Sequence, residues 1–170
     1  NSGANDIGGT SIAIGHSANS IGANSLSLGN ASEASGSRSI AIGQLTDSSN
    51  TDTIAIGYNT DATGTYSIAI GQQVISSGID SIAIGRNSNA PNNNNIVIGN
   101  EAGKTTGTVN SNAISIGLNS NGSISNIGSN SLALGVNSQS TNTYSYAIGY
   151  NSLANGIDSL SLGSYSDTQS

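Results

Sequence analysis

Apolar residues recur along the chain in pairs two positions apart, each pair followed by a glycine. Ile12 and Ile14 precede Gly15, Leu26 and Leu28 precede Gly29, Ile40 and Ile42 precede Gly43, and the pattern runs on to Leu160 and Leu162 before Gly163. Four of these stretches read SIAIG, at Ser11 to Gly15, Ser39 to Gly43, Ser67 to Gly71 and Ser81 to Gly85. Alternation at period two puts each pair on one face of a strand, and β-branched isoleucine suits a pleated surface. The closing glycines stand at Gly15, Gly29, Gly43, Gly57, Gly71, Gly85, Gly99, Gly117, Gly135, Gly149 and Gly163, a spacing of 14 residues with two steps of 18. Eleven units therefore cover nearly all of the 170 residues.

A second marker lies midway. Gly8, Gly22, Gly36, Gly64, Gly78 and Gly156 fall seven residues before a closing glycine, and Asn50, Asn92 and Asn142 take the same slot elsewhere. Glycine and asparagine tolerate the left-handed backbone region, so this slot predicts a tight turn. Small residues three and five after each closing glycine, such as Ala18 and Ser20 or Ser32 and Ala34, mark a second short strand. A 14-residue unit is too short for a helix plus a strand. Two strands and two turns per unit, stacked at about 4.8 Å, make a parallel β-solenoid, an all-β fold.

The paired Ile and Leu are expected to line the coil interior, opposite the small residues of the second strand. The residue between each pair then points outward: Ala13, Ser27, Ala41, Ala55, Ala69, Ala83, Val97, Ser115, Ala133, Ala147 and Ser161. A solvated column normally varies in size and carries charge. A column this small implies a second surface packed close, so Ala13, Ala41, Ala55, Ala69, Ala83, Ala133 and Ala147 are expected at the interface of a homo-oligomer.

Composition narrows the function classes. The chain has no Cys, Met, Trp or Phe, six Tyr, one Pro and 23 Gly, with only 7% charged residues, which argues against one deep core. Its regularly placed isoleucines argue against disorder. Nine acidic and three basic side chains give a net charge of -6, no footprint for nucleic acid or an anionic membrane. Absent cysteine rules out disulfides and thiolate metal sites, and no apolar run nears the roughly 20 residues of a spanning helix.

No catalytic set is legible. His16 is the lone histidine and reads as a solvated turn residue, leaving no Ser-His-Asp set and no metal cluster, so neither enzyme nor cofactor is expected. The stretch GNEAGKT, Gly99 to Thr105, lacks the spacing and the following helix of a phosphate loop. Glu33, Asp47 and Asp61 share one column and are expected outward and screened, while Arg38 and Asp52, neighbours in another, are placed to pair. Tyr146 replaces Ile in the large column and reads as core. Tyr58, Tyr66, Tyr144 and Tyr150 are candidate partner-binding residues, since exposed tyrosines supply what interface hot spots favour.

The repeat S-[IL]-[AS]-[IL]-G at 14-residue spacing, with Gly or Asn midway, resembles the head domain of trimeric autotransporter adhesins of the Yersinia-adhesin type, over roughly residues 7 to 168. The resemblance implies a left-handed parallel β-roll, a homotrimer, and a non-enzymatic role in attaching a bacterium to host matrix proteins or glycoprotein receptors. It also implies a place outside the outer membrane, without direct membrane contact by this segment. One head domain over 1–170 is expected. Its longer coils, 100–117 and 118–135, carry about four extra residues each, around GKTTGTVN and NGSISNIGS, expected to protrude as loops on one side. Receptor-binding fibres of phages or viruses share this roll, and regular outward ladders also suit ice or crystal-surface binding.

Overall fold

The computed structural model describes residues 5–6, 10–104, 110–122 and 127–169. Gly8, Thr105 and most of the extra residues of the two longer coils lie outside that set. Among the described residues the fold is a parallel β-solenoid of about eleven coils. The apolar segments form one eleven-stranded parallel sheet, running in order from Ile12–Ile14 to Leu160–Leu162. Its register is the sequence repeat itself: Ile40, Ala41 and Ile42 lie against Ile54, Ala55 and Ile56, and these against Ile68, Ala69 and Ile70. Each coil donates backbone N–H groups to the next, as from Ile40 N to Thr53 O at 2.9 Å. Across the 18-residue steps the ladder continues, with Ile96 against Ile114 and Ile114 against Leu132.

The short strands form a seven-stranded sheet from Asn5–Asp6 to Asn89–Ala90 and a three-stranded sheet of Gln139–Ser140, Leu153–Ala154 and Asp167–Thr168. The gap between them falls where the longer coils depart from the repeat. Asn121 and Ile127, both fully buried, fill it. The Asn121 amide donates to Ser115 Oγ at 2.8 Å, and its Oδ1 accepts from Ser140 N at 2.8 Å, standing in for the missing strand.

Which face is inside differs from expectation. Ala41, Ala55, Ala69, Ala83, Ala133 and Ala147 are 0% exposed within the single chain, and Ala13, in the first coil, is half-buried. The six fully buried alanines are enclosed by the coil itself and offer no surface to another chain. The paired large residues face out instead: Ile12 and Ile14 are 52% and 58% exposed, and Tyr146, expected in the core, is 39% exposed. The reason is size. In the 14-residue coils the two strands lie so close that mostly Ala, Ser, Thr and Val fit between them, as Ala18, Ala34, Thr46, Ser48, Thr60 and Val74 do opposite the alanines, with Asn95 the larger exception. Many hydroxyls inside are satisfied locally, Ser25 Oγ and Ser81 Oγ each donating to a turn carbonyl at 2.7 Å, whereas those of Ser39, Ser67 and Ser120 have no partner among the described residues.

The left-handed backbone is also displaced from the predicted slot. Positive φ occurs five residues before and two after the closing glycines, at Arg38 (+57°), Leu45 (+56°) and Tyr66 (+61°) among others. The mid-coil glycines have ordinary φ. They are small because of a close approach: a Cβ on Gly36 would overlap the carbonyl of Asn50 in the next coil. Where Asn50 and Asn142 take the slot, their amides bond the carbonyls of Thr63 and Asn155.

The turn positions provide a test. Leu45 is exposed and held in a region that costs a branched side chain about 1 kcal/mol and that asparagine tolerates. Leu45→Asn is expected to raise the melting temperature by about 2–4 °C. An unchanged or lower value in thermal denaturation would show that the leucine is held there by packing.

Candidate functional site

The outward columns three and one before each closing glycine form a double ladder of Ile and Leu, interrupted only by Tyr146. It runs the length of the eleven-stranded sheet, roughly 50 Å at the usual strand spacing. In mid-roll each side chain shades the next, so Ile42, Ile56 and Ile70 are half-buried, whereas Leu160 and Leu162 at the end are 57% and 68% exposed. A contiguous apolar band of this length marks an interaction surface.

The opposite face, carried by the short strands, is polar. There Glu33, Asp47 and Asp61 stack in register on successive coils. Burial, reinforced by the charges of Glu33 and Asp61, pushes the Asp47 carboxyl above its ordinary value, and burial raises Asp61. Asp47 Oδ1 has no hydrogen-bond partner. These carboxylates are thus less screened than their column position implied. A raised native-state pKa means stability present below the ordinary aspartate value and lost as pH rises through the native one. Asp47→Asn is therefore expected to raise the melting temperature at pH 7 and to change nothing below about pH 3.9. A gain that persists at acid pH would trace to something other than charge.

At the coil edges, Arg38 Nε donates to Asp52 Oδ1 at 2.6 Å and the second guanidinium nitrogen meets Oδ2, the pairing expected from the column. This hydrogen bond holds the Asp52 carboxyl below its ordinary value. Tyr58, Tyr66, Tyr144 and Tyr150 are all exposed, but they do not form one patch. Tyr58 and Tyr150 follow closing glycines, whereas Tyr66 and Tyr144 sit at left-handed turns on the other edge. Among the described residues the one ring contact joins Tyr150 to Tyr165, edge-on with centroids 5.2 Å apart. His16 is exposed, its Nδ1 3.2 Å from Ser17 Oγ.

Sequence reasoning missed the asparagine ladders. Asn94 donates to Asn112 at 2.9 Å and Asn112 to Asn130 at 3.0 Å, while Asn119 donates to Asn137 at 3.0 Å. The signal was present as asparagine repeating in one column across the 18-residue steps. Each ladder ties a longer coil to its neighbour.

No group of three or more His, Cys, Asp or Glu among the described residues is arranged to hold a metal ion. With its interior filled by small side chains and its outer faces regular, the molecule is a repeat scaffold that presents surfaces. The YadA head domain repeat matches residues 7–26, 20–46, 48–73, 76–102, 127–152 and 140–166. These matches span well over half of the chain, which belongs to the YadA head family, the adhesin-type heads of trimeric autotransporters. Heads of this family are surface-exposed adhesins rather than enzymes. No curated protein sequence matches the chain.

Proposed function

We propose that residues 1–170 form one head domain, a left-handed β-roll assembled as a homotrimer, that attaches a bacterium to host matrix proteins or cell-surface receptors. It does so without catalysis, projecting beyond the outer membrane. The observation that carries the assembly is the outward Ile and Leu ladder. Three chains set side by side with these ladders inward would bury it along its whole length, and family membership supports the number. The polar faces and coil edges then remain for a ligand, each present in three copies, so that weak contacts add through multivalency.

The test uses the intact protein on immobilised matrix proteins and on receptor-bearing host cells, with Tyr58→Ala and Tyr150→Ala variants alongside. Binding is expected to weaken in the variants, about tenfold for a hot-spot tyrosine, while light scattering still reports three chains. A wild-type protein that binds neither surface, or that sediments as a single chain, would overturn the reading.

A further inference from the structure

The chain contains two Asn-Gly steps among its described residues, Asn121–Gly122 and Asn155–Gly156, and the structure treats them oppositely. In an Asn-Gly step the backbone nitrogen of the glycine can attack the asparagine side-chain carbon, because glycine has no Cβ to hinder the approach. Three things control the reaction in a folded protein: freedom of that nitrogen, freedom of the side-chain amide, and access for water.

Asn121 is protected on all three counts. It is fully buried; its amide nitrogen donates to Ser115 Oγ and its Oδ1 accepts from Ser140 N; and Gly122 N donates to Asn119 O at 3.1 Å. Asn155 differs in its exposure and in the bonding of the following nitrogen, and its side-chain nitrogen, unlike that of Asn121, has no acceptor among the described residues, although Gly156 itself is buried. It lies exposed in the bend after the strand Leu153–Ala154. In five other coils the glycine of this slot donates its N–H to a carbonyl of the next coil, from Gly22, Gly36, Gly64, Gly78 and Gly128. In four of those coils the same carbonyl also accepts from the residue before the glycine; here Thr168 O takes the N–H of Asn155 alone, at 2.9 Å, and Gly156 N–H has no acceptor among the described residues. The Thr141 hydroxyl donates to Asn155 Oδ1 at 2.5 Å. That is the atom on which negative charge develops when the side-chain carbon is attacked, so the hydroxyl stabilises the transition state.

We infer that Asn155–Gly156 is a site of spontaneous covalent modification, a deamidation site that the fold selects over Asn121–Gly122. Gly156 N loses its proton to solvent base and bonds to Asn155 Cγ. The Cγ–Nδ2 bond breaks, ammonia leaves, and a five-membered succinimide remains. Water then opens either carbonyl, giving aspartate or isoaspartate. The net change is water in and ammonia out. The product carries a new negative charge, and the isoaspartyl form adds a backbone atom in the turn leading to the last coil.

The experiment incubates the intact folded protein at mildly alkaline pH and 37 °C, with peptide mapping by mass spectrometry and chromatographic separation of isoaspartyl peptides. Reaction at Asn121 requires local opening of the coil, so Asn155 is expected to convert about tenfold faster or more. In urea, where both steps are unfolded Asn-Gly sequences, the two rates are expected to converge. Thr141→Val is expected to slow conversion of Asn155 several-fold in the folded protein and to leave the urea rate unchanged. Equal rates at the two sites in the folded protein, or an inert Asn155 over a period in which the urea control converts, would overturn the inference. An unchanged rate in the Thr141→Val protein would overturn the part assigned to the hydroxyl.

Discussion

Gly57→Ala is expected to lower the melting temperature by on the order of 10 °C, equivalent to about 4 kcal/mol. Two causes act together. Gly57 holds a φ of +144°, a region that residues with a Cβ avoid, and an added Cβ would overlap the carbonyl oxygen of Gly71 in the next coil. Both obstacles are backbone, so no rotamer change relieves them. The stack must open between the strands Ile54–Tyr58 and Ile68–Gln72, which share a five-residue register, as Ile40–Gln44 and Ile54–Tyr58 also do. The comparison that isolates the second cause is Gly163→Ala. Gly163 has a φ of +121° but nothing within 4 Å of where its Cβ would stand, so only the dihedral strain, about 1–2 kcal/mol, remains. Equal losses in thermal denaturation of the two variants would refute the stacking explanation.

The paired substitution Ile56→Asp and Ile70→Asp is expected to abolish assembly. The two residues are register neighbours in the outward ladder. An unpaired carboxylate placed in an apolar interface costs several kcal/mol, and each chain would bring two at adjacent heights. Light scattering should report single chains, with the parallel sheet retained by circular dichroism because neither side chain enters the coil interior. Ile75→Asp serves as the control. That residue is exposed on the opposite, short-strand face and is expected to leave the assembly intact. Association that survives both aspartates would place the contact surface elsewhere on the roll.

The period, the register and the number of coils were legible because one glycine and one apolar pair mark every unit. Even across the 18-residue steps, Ile96, Ile114 and Leu132 align as the spacing required. What periodicity could not decide was which face turns inward. Alternation separates Ile40 and Ile42 from Ala41 but is blind to the space available on either side. Hydrophobicity favours the isoleucines as interior, whereas the narrow gap between the strands of a 14-residue coil favours Ala41 and residues like Ser32 and Thr46. The reliable cue was the run of Ala, Ser and Thr in several columns at once, which together describe a cavity of small cross-section.

The left-handed turns were misplaced for a related reason. At the mid-coil slot glycine serves close approach and asparagine a hydrogen bond to the next coil rather than positive φ, and the positions that hold positive φ accept Leu45, Arg38 and Tyr66. The site was legible only in part. The Arg38–Asp52 pair followed from column spacing, but the separation of the tyrosines onto two edges depends on where each turn points.

Because each 14-residue coil presents the same backbone ladder to the coil above and below, one such coil can be deleted or duplicated without altering how its neighbours stack. Slippage in the coding repeats would lengthen or shorten the rod in steps of about 4.8 Å. Length, for a molecule built this way, is a heritable trait that varies independently of the surface each coil presents.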